Sequence, residues 1–143
     1  VLMDSDGQHL VKDIDLLLLK MKSSKADLII GNRFSSCNNQ IPRHRIVYNK
    51  IGNAFTNIFC KNNYSDTQCG FRLLNKRAID QLNLKSRGFS FCSEMLIIAD
   101  ELGLKVEQVP ISVRYTNYSL SKGQSLLEGI RTARSILWQF LFE

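Results

Sequence analysis

Two carboxylates stand one residue apart near the start of the chain, in the sequence VLMDSDGQH. Asp4 and Asp6 follow the apolar residues 1–3 and precede Gly7, which allows the backbone to turn sharply. A divalent cation relieves the repulsion between two carboxylates that face one point, and Mg²⁺ and Mn²⁺ prefer oxygen ligands. Gln8 would add a carbonyl oxygen or hold a water. A plain turn, in which an aspartate caps the following helix, is the alternative that this motif alone leaves open.

Two other motifs contain a similar pair of aspartates. A calcium-binding EF-hand loop requires glycine at its sixth position, where this chain has His9. The start of a haloacid-dehalogenase-type phosphatase resembles this segment more closely, since a strand there leads into D-x-D-G and the first aspartate is the nucleophile. That family normally has threonine where this chain has Gln8, and no later acidic pair is evident. A phosphatase with Asp4 as nucleophile therefore remains the alternative function.

Strand and helix patterns alternate along the chain. Apolar residues at helical spacing predict a first helix after residue 10 and a second over residues 43–60, while Leu28 to Ile30 form a short apolar strand that Gly31 stops. Asn75 is placed to cap a third helix, Gly103 to end a fourth, and Pro110 suits an edge strand. The alternation predicts an α/β layered domain with a mostly parallel sheet and flanking helices.

The predicted strands place the candidate residues at one edge of the sheet. Residues 1–3 are expected to end a buried strand, so Asp4 and Asp6 lie at its carboxyl end, and the Gly31-Asn32-Arg33 turn follows the next strand. Ligands of open α/β sheets bind in the crevice outside the carboxyl ends of the strands. The sequence therefore predicts that these two segments share a crevice.

Composition limits the kinds of partner. The 143 residues are 44% hydrophobic, enough for one core, and carry a formal net charge of +6. A basic chain favours an anionic partner such as a phosphate, a nucleotide or an acidic lipid surface, although a solvated basic face gives the same charge. A non-catalytic basic module that binds nucleic acid is a further alternative, but it is not favoured, because interleaved surface aromatics and a recognition helix are lacking. The four cysteines are far apart and include no C-x-x-C pair, which argues against a structural zinc site. The sequence has no apolar run of about 18 residues, the length that spans a membrane.

Five stretches together carry a resemblance to a known family. They are DSDGQH at residues 4–9, ADLIIGNRF at 26–34, SDTQCGFRLLNKRAI at 65–79, GFSFCSEMLIIADELGLKVEQVPISVRY at 88–115 and SLSKG at 119–123. In this order the chain resembles family-2 glycosyltransferases of the GT-A fold, close to the dolichyl- and polyprenyl-phosphate mannosyl- and glucosyltransferases. The resemblance implies inverting transfer of a sugar from a nucleotide-diphosphate sugar to a polyprenyl phosphate, with Mg²⁺ or Mn²⁺ held by Asp4 and Asp6.

The resemblance also implies a domain organisation. In this family a nucleotide-binding half precedes the D-x-D strand, and this chain does not contain it. Residues 1–120 are then expected to form the metal and acceptor side of a GT-A catalytic domain, and residues 121–143 a C-terminal amphipathic helix. A piece of this kind is expected to be inactive alone.

Three residues take catalytic roles by resemblance. Asp66 matches the position proposed for a base or for acceptor orientation, with an Asx-turn as its structural alternative. Arg33, which follows the strand-ending glycine, is expected to contact phosphate, because guanidinium groups match phosphate oxygens. Glu94 is expected either to interact with a helix dipole or to serve as an acceptor-site carboxylate.

Further cations are expected to bind phosphate groups. Arg43, Arg45 and Arg114 come from separate places that would converge with Arg33 on one crevice, and Arg114 matches the V-P-x-x-x-R position of the family. Arg43 and Arg45 are alternatively a solvated helix start, and Arg72 is expected to pair with a carboxylate. Lys122 is expected on a loop that closes over the donor, as in the family.

The last residues carry an apolar stripe with a basic flank and Trp138. This pattern fits a helix lying on an anionic bilayer, with a helix packed on the domain as the alternative. We therefore expect a protein at the cytoplasmic face of a membrane, and a homo-oligomer is left open.

Overall fold

The computed structural model describes residues 1–36, 40–86 and 90–116, together with Arg134. The predicted helix over 121–143 therefore lies outside the described residues, apart from Arg134. A single 3₁₀ turn, Val11–Asp13, leads directly into the first helix. The helices and strands are α1 (Ile14–Ser24), β1 (Leu28–Asn32), α2 (Arg43–Phe59), β2 (Arg72–Leu74), α3 (Lys76–Gln81), α4 (Ser90–Glu101) and β3 (Val106–Pro110).

The sheet that these strands form is mixed, with the order β2-β1-β3. β1 pairs with β3 in parallel, Leu28 opposite Val106, and with β2 antiparallel, Leu28 opposite Leu74. The predicted α/β class is confirmed, but only one of these two pairings is parallel. After α2 the chain returns to the carboxyl end of β1, where Ile30 lies opposite Arg72, so β2 must run back along β1.

The core is built around β1, in which Leu28, Ile29 and Ile30 are fully buried. An uninterrupted apolar run suits a strand that is covered on both faces. Leu17 of α1 and Met95 of α4 join the same cluster of buried side chains. Because β1 is held in the core, it fixes the position of Arg33, the residue that follows it.

Residues 1–3 are less buried than predicted. Leu2 exchanges two backbone hydrogen bonds with Arg72, at 2.8 and 3.0 Å, but Val1 is 59% exposed and Met3 42% exposed. The prediction of a buried strand was wrong, because this segment pairs along the outer edge of β2 rather than inside the sheet. The pairing nevertheless places Asp4 beside the residues that precede β2.

Two predicted helix boundaries are confirmed. The side chain of Asn75 accepts a 2.8 Å hydrogen bond from the Ala78 N–H, which caps α3. Gly103 has φ +65° after α4, and the N–H of Leu104 bonds back to the carbonyl of Ala99. α4 itself begins by Ser90.

Gly31 lies inside β1, which continues to Asn32 rather than stopping as predicted. A Cβ at Gly31 would lie 2.6 Å from Cδ1 of Ile111.

We expect Gly31→Ala to lower the free energy of unfolding by about 1–3 kcal/mol, the usual cost of overpacking. Urea unfolding would measure this loss. Ile111→Val removes the clashing Cδ1, so the double variant should be more stable than Gly31→Ala alone. An equal loss in both variants would contradict the packing explanation.

Candidate active site

Asp4 is held against the segment that precedes β2. A Cβ at Gly70 would lie 2.5 and 2.6 Å from the two carboxylate oxygens of Asp4, so a larger residue there would displace this carboxylate. Asp4 Oδ2 lies 3.5 Å from Nε2 of His9, and the His9 ring stacks on Phe71 with centroids 5.1 Å apart. Two stretches that are far apart in sequence, DSDGQH and DTQCGF, therefore meet at the Asp4 carboxylate.

The charges around Asp4 keep its carboxylate ionised. The contact with His9 lowers the pKa of Asp4, burial raises it, and the positive charges of Arg33 and Arg72 lower it further, leaving it below its usual value. The side chain of Asp4 is 61% exposed. An ionised carboxylate that reaches solvent can accept a cation or a hydrogen-bond donor of a ligand.

Asp6 adopts the turn geometry that was the alternative to a metal site. Its Oδ1 accepts a 3.0 Å hydrogen bond from the backbone N–H of Gln8. The Gln8 carbonyl in turn accepts from the Arg114 N–H at 2.9 Å, and Gln8 itself is buried. This turn uses one oxygen of Asp6 and fixes the 4–9 loop on the chain that follows β3.

Asp66 and Arg33 form a buried ion pair at the carboxyl end of β1. Arg33 Nε and Nη2 donate to Oδ2 and Oδ1 of Asp66 at 2.8 and 2.7 Å, and the Arg33 backbone N–H donates to Oδ2 at 2.9 Å. Burial lowers the pKa of Arg33, but the charge and hydrogen bonds of Asp66 raise it above its usual value. Asp66 is fully buried, and both of its oxygens accept hydrogen bonds from Arg33. Its predicted base role stays a prediction.

The remaining predicted arginines divide into two groups. The Arg45 guanidinium lies over the Tyr115 ring, 5.6 Å from its centroid. Burial raises the pKa of Tyr115, while Arg33 and Arg45 both lower it, so these two cations approach one point. The Tyr115 hydroxyl is buried and has no hydrogen-bond partner within the described ranges. Arg43 and Arg114 are exposed side chains.

Two further predictions concern buried charges. Arg72 was expected to pair with a carboxylate, but its guanidinium donates to the backbone carbonyls of Cys69, Cys92 and Thr67 at 2.7–2.9 Å, so that prediction was wrong. Glu94 is fully buried, and its two oxygens accept from the N–H groups of residues 85 and 86. Glu94 thus fixes the chain before α4; an acceptor-site role stays a prediction. Lys122 lies outside the described residues.

Helix α2 contributes a row of asparagines that the sequence reasoning missed. Asn49 Oδ1 accepts from Arg33 Nη2 at 3.1 Å, Asn53 Oδ1 accepts from the Thr67 N–H and hydroxyl, and Asn57 Oδ1 accepts from the Tyr64 N–H. Their spacing of four residues puts all three on one face of α2. Asparagine is a poor helix former, so its regular repeat in NKIGNAFTN was the available signal.

The loop that leads to Asp66 is fixed at its start by Asp100. Asp100 accepts hydrogen bonds from the Asn62 N–H at 2.8 Å, the Asn62 amide at 2.7 Å and the Tyr64 hydroxyl at 2.5 Å. Burial raises the pKa of Asp100, but these bonds lower it more, so the net shift is downward. The loop is therefore tied to α4 by an ionised carboxylate.

This shift predicts a loss of stability in acid. A carboxyl whose pKa is lowered by folding stabilises the protein above its unfolded-state pKa, near 3.8, and this contribution disappears as pH falls through the lower folded-state value. We expect Asp100→Asn to be less stable than wild type at neutral pH, with the difference shrinking below about pH 3.8. Denaturant midpoints measured against pH would test this, and a constant difference would contradict it.

The carboxylates fit a cation that is shared with a substrate better than an enclosed metal site. Among the described residues, no group of three or more His, Cys, Asp and Glu side chains could hold a metal ion. Mg²⁺ is usually bound by one or two carboxylates together with substrate phosphates and water. Asp4 and Asp6 supply the donor chemistry for that mode of binding.

Comparison with known proteins gives the family context. No protein-family model matches the chain. An undecaprenyl-phosphate mannosyltransferase of Micrococcus luteus is 27% identical over 97% of the chain and 61% of its own length. A UDP-N-acetylglucosamine–dolichyl-phosphate N-acetylglucosaminyltransferase of Methanococcus voltae is 30% identical over 92% of the chain and 54% of its own length. The chain is homologous to polyprenyl-phosphate glycosyltransferases. An uncharacterised protein of Methanocaldococcus jannaschii is 31% identical over 97% of the chain and 59% of its own length.

This homology confirms the resemblance read from the sequence, and the mixed α/β sheet is consistent with a GT-A-like domain. The chain spans 54–61% of the length of these three relatives. Within the described part of this chain, none of the helices has the length and hydropathy needed to cross a bilayer.

Proposed function

We propose that this protein transfers a sugar from a nucleotide-diphosphate sugar to a polyprenyl phosphate, with inversion at the anomeric carbon and with Mg²⁺ or Mn²⁺. Its homologues are named as transferases that act on dolichyl phosphate or undecaprenyl phosphate. The observation that carries the proposal is the position of Asp4, seated on Gly70 close to the Arg33–Asp66 pair. Carboxylate and guanidinium side chains thus share one end of the sheet.

Asp4 and Asp6 would hold the metal ion, with Gln8 as a neighbouring oxygen donor. Bound there, the ion would act as a Lewis acid for the leaving nucleoside diphosphate. Asp4 remains ionised because His9, Arg33 and Arg72 lower the pKa of its carboxyl. The turn at Gln8 orients Asp6 before any ligand arrives, which limits the reorganisation needed on binding.

The acceptor chemistry assigns Asp66 a positioning role. A phosphate monoester has its second pKa near ~6, so it is mainly dianionic at neutral pH and can attack without losing a proton. Such an acceptor requires cations rather than a base, and Arg33 and Arg45 both approach Tyr115. Since both oxygens of Asp66 accept from Arg33, the carboxylate orients that guanidinium toward the site.

The proposal is tested with a protein that includes the nucleotide-binding half expected from the family resemblance, incubated with a panel of nucleotide sugars, a polyprenyl phosphate and Mg²⁺. We expect formation of a lipid-linked sugar that chelation of the metal abolishes. Product formation unaffected by chelation would overturn the metal dependence. Release of inorganic phosphate without an acceptor, or a trapped aspartyl phosphate (an acyl phosphate) at Asp4, would favour the phosphatase alternative. We place the protein at the cytoplasmic face of a membrane, where its acceptor would be reached.

A further inference from the structure

The Tyr115 hydroxyl is a buried polar group that lacks a hydrogen-bond partner. Among residues 1–36, 40–86 and 90–116, the other buried side-chain atom of this kind is Nδ1 of His9. Nearly all buried polar groups in folded proteins are hydrogen-bonded, because an unpaired one has lost its water without compensation. A hydroxyl of this kind therefore requires an explanation, and a ligand that binds there supplies one.

Two contacts from different segments hold the Tyr115 ring in place. The Arg114 N–H donates to the Gln8 carbonyl at 2.9 Å, which fixes the backbone before Tyr115 to the D-x-D loop, residues 4–9. From α2, the Arg45 guanidinium lies over the ring, 5.6 Å from its centroid. A cation over an aromatic face is attracted by the negative charge of that face. The ring is thus held between the D-x-D loop and α2.

The charges around the Tyr115 hydroxyl favour an anion. Burial raises the pKa of the phenol more than the positive charges of Arg33 and Arg45 lower it, so the hydroxyl keeps its proton at neutral pH. Asp66 also raises this pKa, but its two oxygens accept hydrogen bonds from Arg33. Cys69 is a neutral thiol, because burial raises its pKa to about 12. Two guanidinium groups and one carboxylate leave a positive excess beside a hydroxyl that can donate.

We propose that Tyr115 is a phosphate-binding residue, whose hydroxyl donates to a phosphate oxygen that is also attracted by Arg33 and Arg45. This inference rests on the proposed transfer of a sugar to a polyprenyl phosphate. Hydrogen bonds to ionised oxygens are the strong ones, and guanidinium groups match phosphate geometry. The hydroxyl adds a single directional contact to the two charges, which fixes the orientation of the phosphate. The monoester of the acceptor and the diphosphate of the donor share this chemistry.

Tyr115→Phe removes only the hydroxyl, and Tyr64→Phe is a matched control. The Tyr64 hydroxyl donates to Asp100 at 2.5 Å, so it has a partner inside the protein. Without ligand, Tyr115→Phe should unfold at the same urea concentration as wild type or at a higher one, whereas Tyr64→Phe should unfold at a lower one. An equal loss of stability in Tyr115→Phe would overturn the inference, since its hydroxyl would then have a structural partner.

Calorimetric titration measures phosphate binding without any catalysis. The protein includes the nucleotide-binding half expected from the family resemblance. The probes are farnesyl phosphate, which represents the acceptor, and inorganic pyrophosphate with Mn²⁺, which represents the donor. We expect Tyr115→Phe to weaken binding of at least one probe roughly tenfold, the low end of what a hydrogen bond to a charged group contributes. Tyr64→Phe should bind both probes like wild type.

The two probes also distinguish the source of the phosphate. Weaker binding of farnesyl phosphate would support a contact with the acceptor, and weaker binding of pyrophosphate alone would support a contact with the donor. Wild-type affinity of Tyr115→Phe for both probes would overturn the inference. An equal loss of affinity in Tyr64→Phe would do so too, because the loss would then reflect general damage to the site.

Turnover separates this inference from the proposed function. Tyr115→Phe should raise the KM of the substrate whose phosphate it binds and leave kcat nearly unchanged, because the contact is present in the ground state and in the transition state. Phosphate binding that depends on Tyr115, without any sugar transfer, would support the inference and contradict the proposed function. Sugar transfer by Tyr115→Phe with wild-type KM values for both substrates would do the reverse.

Discussion

Replacing Asp66 with alanine is expected to lower the free energy of unfolding by about 3–5 kcal/mol, the usual cost of removing one partner of a buried ion pair. The Arg33 side chain is only 11% exposed and Asp66 is not exposed at all, so water cannot replace the missing carboxylate. The backbone N–H of Arg33 loses its acceptor at the same time. Urea unfolding followed by circular dichroism would measure the change.

A second variant distinguishes an unpaired charge from a general packing defect. Arg33→Met combined with Asp66→Leu replaces both charges with apolar groups, and such replacements are often close to neutral in stability. The double variant should therefore recover the part of the lost stability that comes from the unpaired guanidinium, but not the part that comes from the Arg33 backbone N–H, which still lacks its acceptor. Sugar transfer should be lost in the double variant because the guanidinium is gone. If Asp66→Ala were as stable as wild type, the buried pair described here would be wrong.

Replacing Asp4 with asparagine is expected to reduce sugar transfer by roughly 10²- to 10³-fold, the range seen when one preorganised electrostatic contact to a transition state is removed. Asparagine keeps the shape of the side chain beside Gly70 but lacks the charge that a divalent cation requires. Calorimetric titration with Mn²⁺ gives a readout that is independent of turnover. The titration should show weaker binding in the variant than in the wild type.

Gly70→Ala tests the same carboxylate without changing its charge. The added methyl group would occupy the space that the Asp4 oxygens fill at 2.5–2.6 Å, so the carboxylate must move. Mn²⁺ affinity and transfer should fall together in this variant. Asp80→Asn removes an exposed carboxylate that pairs with Lys76 on α3, and this control should retain both properties. Wild-type Mn²⁺ affinity in Asp4→Asn would show that the opening motif is only a turn.

Much of the fold could be predicted from local patterns. The start of α3 and the end of α4 could be predicted because each depends on a single residue, Asn75 before α3 and Gly103 after α4. The apolar run of β1 was equally clear, since burial on both faces requires it. The direction of β2 was not predictable, because it depends on where the loop after α2 returns, and no local pattern encodes that position.

The candidate site was predicted in part. The sequence indicated that the D-x-D turn and the turn after Gly31 share one end of the sheet, and Arg33 is among the charges that lower the pKa of Asp4. It did not indicate that Asp66 is bound at both oxygens by Arg33, or that Arg72 bonds to three carbonyls. Such pairings depend on side-chain geometry between residues distant in sequence, such as Arg33 and Asp66. The apolar residues of α2 predicted a helix but not that some of them, such as Ile51 and Ile58, are exposed, because periodicity does not show which face of a helix is covered.

The parallel pairing of β1 with β3 has a consequence for how the protein matures. Asp27, just before β1, bonds to Lys105, just before β3, across 78 residues of chain. Contacts between segments so far apart slow folding, because a long loop must close before the pairing forms. The DSDGQH loop rests on the residues that follow β3. During synthesis the end of the sheet that carries Asp4 and Arg33 is therefore assembled only after the ribosome has released β3, late in the growth of the nascent chain.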